Sequence, residues 1–334
     1  MKIRATEKVS TAMVDDEKLL DAGEYRSFPA SSKMTGSDRV TTSSSLECSA
    51  DEVVDFPSIV ENSLAPRAND SEGTSLTSSL VVDFDQTVRR VKEQYGQFRL
   101  SNKTSASLGH SRYFITEIGP GLFPRETHAV TISLQNSSKI MFESQSATKV
   151  HIAPEGSHST IGYRFNVAGG SSLIALQAPT ISYEGSKLIS SIEVNVESGS
   201  RAIVSELLAK VATTGQSIGT TFVDMMIEIS YGGELIVIDR IATYQTPIHD
   251  EADAKAVIGG GREVVGGIYI IGYHDTSLEL LEKTVHEIAN YMPSIEITSP
   301  TLPTPDVILI RVRGDDPYAI EGFFAKIAKS LAMA

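Results

Sequence analysis

Short runs of alternating apolar and polar residues dominate the middle of the chain, residues 94–243. The runs are rich in β-branched and aromatic residues, and Gly, Ser, Asn or Pro separate them at roughly ten-residue intervals, which is typical of antiparallel all-β architectures. In the run 187–197, for example, Ile192 and Val194 flank Glu193. Such alternation is expected where one face of a sheet meets water, so the pattern predicts a mainly β fold, an antiparallel β-rich scaffold.

The hydrophobic period changes in the last part of the chain. Apolar side chains in residues 277–292 recur at helical spacing, which predicts an amphipathic helix. The apolar run 307–314 predicts a buried strand, and the segment 317–334 predicts a terminal helix because two aspartates precede a proline in its first turn. We therefore expect a small C-terminal α/β element of two helices and one strand, at about 277–334.

The N-terminal part, residues 1 to about 80, is rich in Ser, Thr, Asp and Glu and shows little sustained periodicity. Such a segment buries too little apolar surface to offset the entropy of ordering it. We predict a mostly disordered extension over 1–80, followed by a β-rich domain over 81–334. Segments 15–22 and 85–93 have apolar positions near helical spacing, so a short helix is an alternative prediction for each.

The net charge indicates which classes of binding partner are expected. The 334 residues carry 42 acidic against 29 basic side chains, for a formal charge of -13. A field of this sign repels phosphate backbones and attracts cations and basic protein surfaces, so we expect no nucleic-acid partner.

The cysteine content and the apolar runs bear on location. The single cysteine, Cys48, excludes an internal disulfide and a multi-cysteine zinc site, which favours a reducing cytoplasm. The N-terminal residues contain no apolar stretch of signal-peptide length. The apolar run 266–273 is far shorter than the roughly 20 residues of a membrane-spanning helix. We expect a soluble, cytoplasmic protein with no membrane partner.

Sequence motifs of catalysis are missing. The chain has no GxSxG elbow, no Walker A loop, no HExxH and no GxGxxG after a strand, so we predict no catalytic residue. The seven histidines are widely spaced, without the pairs that would mark a helical metal site. Two carboxylates stand out: Glu126 follows a loop of Gly and Pro, and Glu206 lies within an apolar run, where a buried acid needs a partner.

Six segments resemble, in the same order and at similar spacing, segments of the UreD (UreH) family of urease accessory proteins. The loop 119–126 is similar to the family's G-G-x-x-G-G-D loop, with Glu126 in place of the aspartate. Residues 146–150 read Ser-Ala-Thr-Lys-Val, similar to the family's S-A-T-K-V-Y. The other four segments are 173–186, 202–207, 238–240 and 307–315. The resemblance covers residues 95–334.

The resemblance implies a urease maturation factor without catalysis of its own. Members of that family are scaffolds that bind apo-urease and the accessory protein UreF, which engages the GTPase UreG, and they assist delivery of Ni²⁺ through an internal polar passage. By motif position the passage would include Glu126, Thr148, Glu206 and Asp239, with Arg240 as a charge partner. The ion would bind transiently, with no tightly bound cofactor, because weak oxygen ligands suit a conduit better than a cage.

Other interpretations of the same residues are open at this point. Glu126 would also fit the closing of a turn, Thr148 a hydroxyl beside a neighbouring strand, and Asp239 with Arg240 a surface ion pair of little energetic weight. The alternative function is a β-rich, carboxylate-dependent hydrolase or carbohydrate-active protein that uses Glu206 and Asp239 as a pair. An open cleft at those two acids would favour the enzyme, whereas an enclosed position would favour the passage.

Overall fold

A computed structural model describes residues 75–104, 109–211, 220–245, 264–292, 294–297 and 300–333. Two β-sheets face each other across a hydrophobic layer, and two helices cover the outer side of the second sheet. The helices are α1 (Leu278–Asn290) and α2 (Pro317–Met333). The strands are β1 (Ser75–Asp85), β2 (Val88–Tyr95), β3 (Phe98–Leu100), β4 (Ser111–Glu117), β5 (Glu126–Gln135), β6 (Lys139–Ser144), β7 (Thr148–Val150), β8 (Ser159–Val167), β9 (Ser172–Leu176), β10 (Thr180–Tyr183), β11 (Lys187–Val196), β12 (Arg201–Val211), β13 (Thr221–Tyr231), β14 (Glu234–Gln245), β15 (Val264–Ile271), β16 (Ile295–Ile297), β17 (Thr301–Thr304) and β18 (Val307–Gly314).

The first sheet has the strand order β14-β13-β11-β8-β5-β1-β2. The second has the order β16-β18-β15-β12-β9-β6-β4-β3, with β7 and β10 joined beside β12 and β17 beside β18. The mainly β prediction is confirmed.

Most central strands continue into the opposite sheet instead of forming a hairpin. Strands β5, β8 and β11 of the first sheet lead through short turns into β6, β9 and β12 of the second. The turns stack on one another: the Ser137 N–H donates to the Gly169 carbonyl at 2.8 Å, and the Gly169 N–H donates to the Glu197 carboxylate at 2.8 Å. Each such arch returns the chain to a sheet in the same direction, so β5, β8 and β11 pair in parallel.

The prediction of antiparallel strands is therefore wrong for the centre of both sheets, which are mixed. Antiparallel pairing occurs towards the edges, as in β1 with β2, β13 with β14, and β15 with β18. The physical reason is that a turn signal marks where a strand ends, but it does not tell whether the next strand pairs beside it or crosses to the facing sheet.

The C-terminal element is confirmed. Helix α1 begins after Ser277, whose hydroxyl accepts the Leu280 N–H at 3.4 Å, and α2 begins where Asp316 accepts the Tyr318 N–H at 2.9 Å. Both contacts satisfy amide groups that have no partner within the first turn of a helix. Strand β18 does not stand apart, because it joins the second sheet beside β15.

The start of the folded part differs from the prediction. Strand β1 begins at Ser75, so residues 75–80 belong to the first sheet and not to a disordered extension. Residues 85–93 lie in β1, the turn and β2, so the alternative of a helix there is wrong. The remaining predicted extension, 1–74, which includes the possible helix 15–22, lies outside the described residues.

Two layers of apolar side chains hold these elements together. One lies between the sheets and contains Phe84, Phe165 and Val204; the other lies between the second sheet and the helices and contains Ile268 and Phe323. In the described part of the chain no helix is long and apolar enough to cross a membrane. The layer between the sheets is not wholly apolar, and its polar members form the candidate site.

Candidate functional site

Glu206 points into the layer between the two sheets. It lies on β12 between Val204 and Leu208, which both belong to that layer, and side chains two positions apart on a strand share a face. Its residue exposure is 1%. A carboxylate in this position needs polar partners, because an unpaired buried charge is strongly unfavourable.

Three other side chains surround Glu206. The Tyr269 hydroxyl on β15 lies 2.7 Å from Glu206 Oε1 and 2.8 Å from Asp239 Oδ2 on β14. Arg311 on β18 donates through Nη2 to Asp239 Oδ2, and its Nη1 lies 3.7 Å from Glu206 Oε1. We call Glu206, Asp239, Tyr269 and Arg311 the Glu206 cluster. It joins the edge strand of the first sheet to three strands of the second.

The protonation of Glu206 is shifted by its surroundings. Burial raises the pKa of Glu206 to about 7; the Tyr269 hydrogen bond and the Arg311 charge act in the opposite direction, while the Asp239 charge also raises it. Burial and the Glu206 charge likewise raise the pKa of Tyr269, which stays neutral. When Glu206 is protonated it can donate to the Tyr269 oxygen while Tyr269 donates to Asp239. Glu206 Oε2 has no hydrogen-bond partner among the described residues.

Gly267 provides the space for this arrangement. It pairs in register with Glu206 on one side and with Arg311 on the other. A Cβ at Gly267 would lie 3.2 Å from the ring of Tyr269, tighter than most side chains tolerate. The missing side chain therefore lets the Tyr269 ring lie over position 267 and reach both carboxylates.

A second polar group lies in the same layer. The Thr148 hydroxyl on β7 donates to Glu117 Oε2 at 3.0 Å, and Glu117 Oε1 lies 3.2 Å from His128 Nδ1 on β5. Neither ring nitrogen of the fully buried His128 makes a hydrogen bond within the described residues. Burial, and then the Glu117 charge, raise the pKa of Tyr163, whose hydroxyl also bonds Thr148. We call Glu117, His128, Thr148 and Tyr163 the Glu117 cluster.

A surface cleft of about 460 Å³ adjoins the Glu117 cluster. It opens between the loops 119–121 and 145–149 and the first turns of α2, and Glu117 lines it. Glu321 of α2 also lines the cleft, and burial, with the nearby Glu143 charge, raises the pKa of Glu321. The cleft connects an acidic surface position to the buried Glu117 carboxylate.

The two clusters lie at the same level of the sandwich. Tyr163 and Asp239 belong to one row across the first sheet, in which Ile192 and Ile227 stand between them. Three strand spacings correspond to about 14 Å. In the second sheet, β10 separates β7 from β12, and Thr180 pairs with Thr148 on one side.

The structure separates the predicted site residues into groups. Glu206 and Asp239 share one hydroxyl, and Thr148 lies in the other cluster. Glu126 belongs to neither cluster: its carboxylate accepts the Phe123 N–H at 2.8 Å and closes the turn before β5.

Arg240 is not the side-chain partner of Asp239. Its guanidinium pairs with Asp224 at 2.5 and 2.6 Å on the outer face of the first sheet, and only its backbone N–H reaches Asp239 Oδ1, at 2.9 Å. The expected charge partner is therefore wrong, because neighbouring residues on a strand point to opposite faces. Arg311 takes that position instead.

Five members of the clusters were missed by sequence reasoning: Glu117, His128, Tyr163, Tyr269 and Arg311. A signal existed for Arg311, which directly follows four apolar residues of β18. His128 was one of seven histidines with nothing to single it out. No group of three or more His, Cys, Asp or Glu side chains that could hold a metal ion occurs in the described ranges.

Comparisons with known proteins agree on one family. A model of the UreD urease accessory protein family matches residues 77–334. A urease accessory protein UreD from Acetivibrio thermocellus is 28% identical over 134 residues, which are 40% of this chain and 50% of that protein. One from Staphylococcus aureus is 22% identical over 130 residues, 39% of this chain and 46% of that protein. The chain thus matches about half the length of these curated relatives.

Proposed function

Because the chain belongs to the UreD family of urease accessory proteins, we propose that it acts in urease maturation as a non-catalytic scaffold. In this role it binds the urease structural subunits and UreF, and through UreF the GTPase UreG, in the cytoplasm. It assists delivery of Ni²⁺ to the urease active site, with the ion as cargo and not as a resident cofactor.

The observation that carries the proposal is the pair of carboxylates held between the sheets. Glu206 and Asp239 come from opposite sheets and converge on one tyrosine hydroxyl. Hydrophobic layers of sandwiches do not normally contain two acids, since each costs desolvation free energy. A path for a divalent cation through the protein accounts for retaining them.

The donor set fits transient binding. Carboxylate and hydroxyl oxygens, with one imidazole at His128, are ligands that a divalent nickel ion accepts. They are divided between two clusters, so neither supplies the three or four strong ligands of a permanent site. An ion would therefore exchange ligands along the path and be released.

The proposed path begins at the cleft, which Glu117 lines, and passes the Thr148 hydroxyl. Between the clusters, Thr180 on β10 pairs with Thr148, and Ser190 on β11 precedes Ile192 by two residues, so both could offer hydroxyls to the path. The path then reaches Glu206 and Asp239.

The hydrolase alternative loses support because of where its two acids lie. The Glu206 side chain is only 2% exposed, and Glu206 and Asp239 are not among the residues that line the cleft. A sugar or peptide would have to separate the sheets to reach Glu206.

The test is urease activation by purified components at limiting Ni²⁺, with the full chain omitted, wild type or altered. The double variant E206Q/D239N should slow activation at least about tenfold, the scale of effects seen when groups around a metal are altered. R240Q, which changes the outer face beside Asp239, is the matched control and should keep wild-type activation.

Partner binding is tested in the same preparation. The chain should co-purify with a UreF protein and with urease subunits, and E206Q/D239N should bind them equally well because the side chains of Glu206 and Asp239 are only 2% and 19% exposed. Failure to bind either partner, while an established member of the family succeeds, would refute the scaffold role. Full activation by the double variant would refute the passage.

A further inference from the structure

The place that a cation would take in the Glu206 cluster already contains a positive charge. The Arg311 guanidinium donates to Asp239 Oδ2 and lies 3.7 Å from Glu206 Oε1. Both of these oxygens also contact the Tyr269 hydroxyl. The same two oxygens that would coordinate a divalent ion are therefore engaged by groups of the protein.

The charges of the cluster explain why the contact with Arg311 matters for cation binding. With both acids ionised, Arg311 leaves one net negative charge, whereas the acids alone carry two, which matches a divalent cation. Electrostatic interactions between such groups are strong where water is scarce. Glu206 Oε2, buried and without a hydrogen-bond partner among the described residues, supplies a further acceptor for a cation.

We propose that Arg311 is a resident counter-cation that competes with the cargo ion for Glu206 and Asp239. It is a positioning residue: it keeps the two carboxylates compensated when no ion is present and prevents them from retaining an ion permanently. The inference rests on the proposed function. It adds an explanation of how the site releases the Ni²⁺ ion that it binds.

The geometry allows Arg311 to leave while the acids stay. Its side chain is 25% exposed, compared with 2% for Glu206 and 19% for Asp239. It lies on β18, one strand from the edge of the second sheet, so its guanidinium can turn towards solvent. Tyr269 remains between the carboxylates and holds them in place.

The experiment measures binding of Ni²⁺ alone to the purified full chain by calorimetry near pH 7.5. R311Q, which keeps a side chain of similar length without the charge, should bind Ni²⁺ at least about tenfold more tightly than wild type, the order expected when an opposing charge is removed from a partly buried site. The gain should disappear in R311Q/E206Q and in R311Q/D239N. R240Q is the matched arginine control and should leave the affinity unchanged.

Unchanged affinity in folded R311Q, or a gain that persists without Glu206 and Asp239, would overturn the proposal. If R311Q does not fold, R311M carries the test, because methionine fills similar space without the charge. R311M should also bind Ni²⁺ more tightly than wild type, whereas R311K, which keeps the charge, should not. An affinity of R311M equal to that of wild type overturns the proposal. Urease activation separates the proposed passage from the proposed role of Arg311. Full activity of E206Q/D239N refutes the passage, whereas an R311Q variant that binds Ni²⁺ no more tightly than wild type refutes only the role of Arg311.

Discussion

The two buried polar clusters share one layer of the sandwich but balance their charges differently. In the Glu206 cluster the guanidinium of Arg311 faces two carboxylates, and the cluster is closed by Tyr269. In the Glu117 cluster a histidine, His128, faces one carboxylate, and the cluster adjoins an open cleft.

The two clusters show two ways in which a protein can stabilise a buried acid. A guanidinium stays charged at every pH at which the protein folds, whereas an imidazole carries charge only when protonated. The countercharge of the Glu206 cluster is therefore independent of pH, and the cluster should respond most to loss of its arginine. The Glu117 cluster depends more on hydrogen bonds, so its single changes should have smaller effects.

The largest expected effect is that of R311Q on stability at pH 8. Removing the guanidinium leaves Glu206 and Asp239 without their cation, which should lower the free energy of unfolding by about 3 kcal/mol. At pH 5.5 the loss should be smaller, because Glu206, with a pKa of about 7, is then protonated. Guanidinium chloride unfolding at both pH values measures the difference, and equal losses would contradict the assigned compensation.

The pH dependence of the unfolding free energy should follow the ionisation of Glu206. Its pKa is about 7 in the folded protein against an ordinary value of 4.5, so its stabilising contribution is complete below pH 4.5 and is lost as the pH rises through 7. The E206Q variant has no carboxyl group at this position, so its unfolding free energy should not show this loss. Between pH 4.5 and 7.5 the difference in unfolding free energy should move in favour of E206Q by roughly 3 kcal/mol. A difference that stays constant with pH would show that Glu206 does not titrate in this range.

In the Glu117 cluster, T148V should cost about 1–2 kcal/mol of unfolding free energy, because Glu117 loses a buried donor without losing a charge. T148S keeps the hydroxyl and serves as the control, with a smaller loss. Thermal unfolding of both variants measures the effect. A loss for T148V as large as that for R311Q would remove the distinction between the clusters.

The smallest expected effect is that of R240Q. Its guanidinium pairs with Asp224 on the outer face, where the Arg240 side chain is 59% exposed, and exposed pairs contribute at most about 1 kcal/mol. Chemical unfolding at low and high salt should show a small loss that salt removes. A loss comparable to that of R311Q would place Arg240 in the Glu206 cluster after all.

Local signals predicted the helices and the last strand well. Helix α1, β18 and α2 were predicted from apolar period, a capping acid and a first-turn proline, all of which act within one turn of chain. The strands of the central run were also predicted, but their partners were not. The turns that contain Ser137 and Gly169 stack on each other through contacts between segments that are distant in sequence. No local pattern specifies those contacts.

The candidate site was predicted in part for the same reason. An acid within an apolar run identified Glu206, whereas chain adjacency suggested the wrong partner for Asp239. The alternation of side chains on a strand could have corrected this, since residues 239 and 240 cannot share a face. Glu126 matched a family motif, yet its carboxylate closes a turn.

The amino-acid sequence by itself determined the class of fold, the C-terminal helices, the family resemblance and the presence of an acid in the core, because these depend on residue type and on periods of a few residues. Only the tertiary structure decided that Asp239, Tyr269 and Arg311 meet at Glu206, since the four residues come from four strands of two sheets. The charge balance of the site depends on that convergence, because a buried acid is defined by whatever the rest of the chain brings within hydrogen-bonding distance.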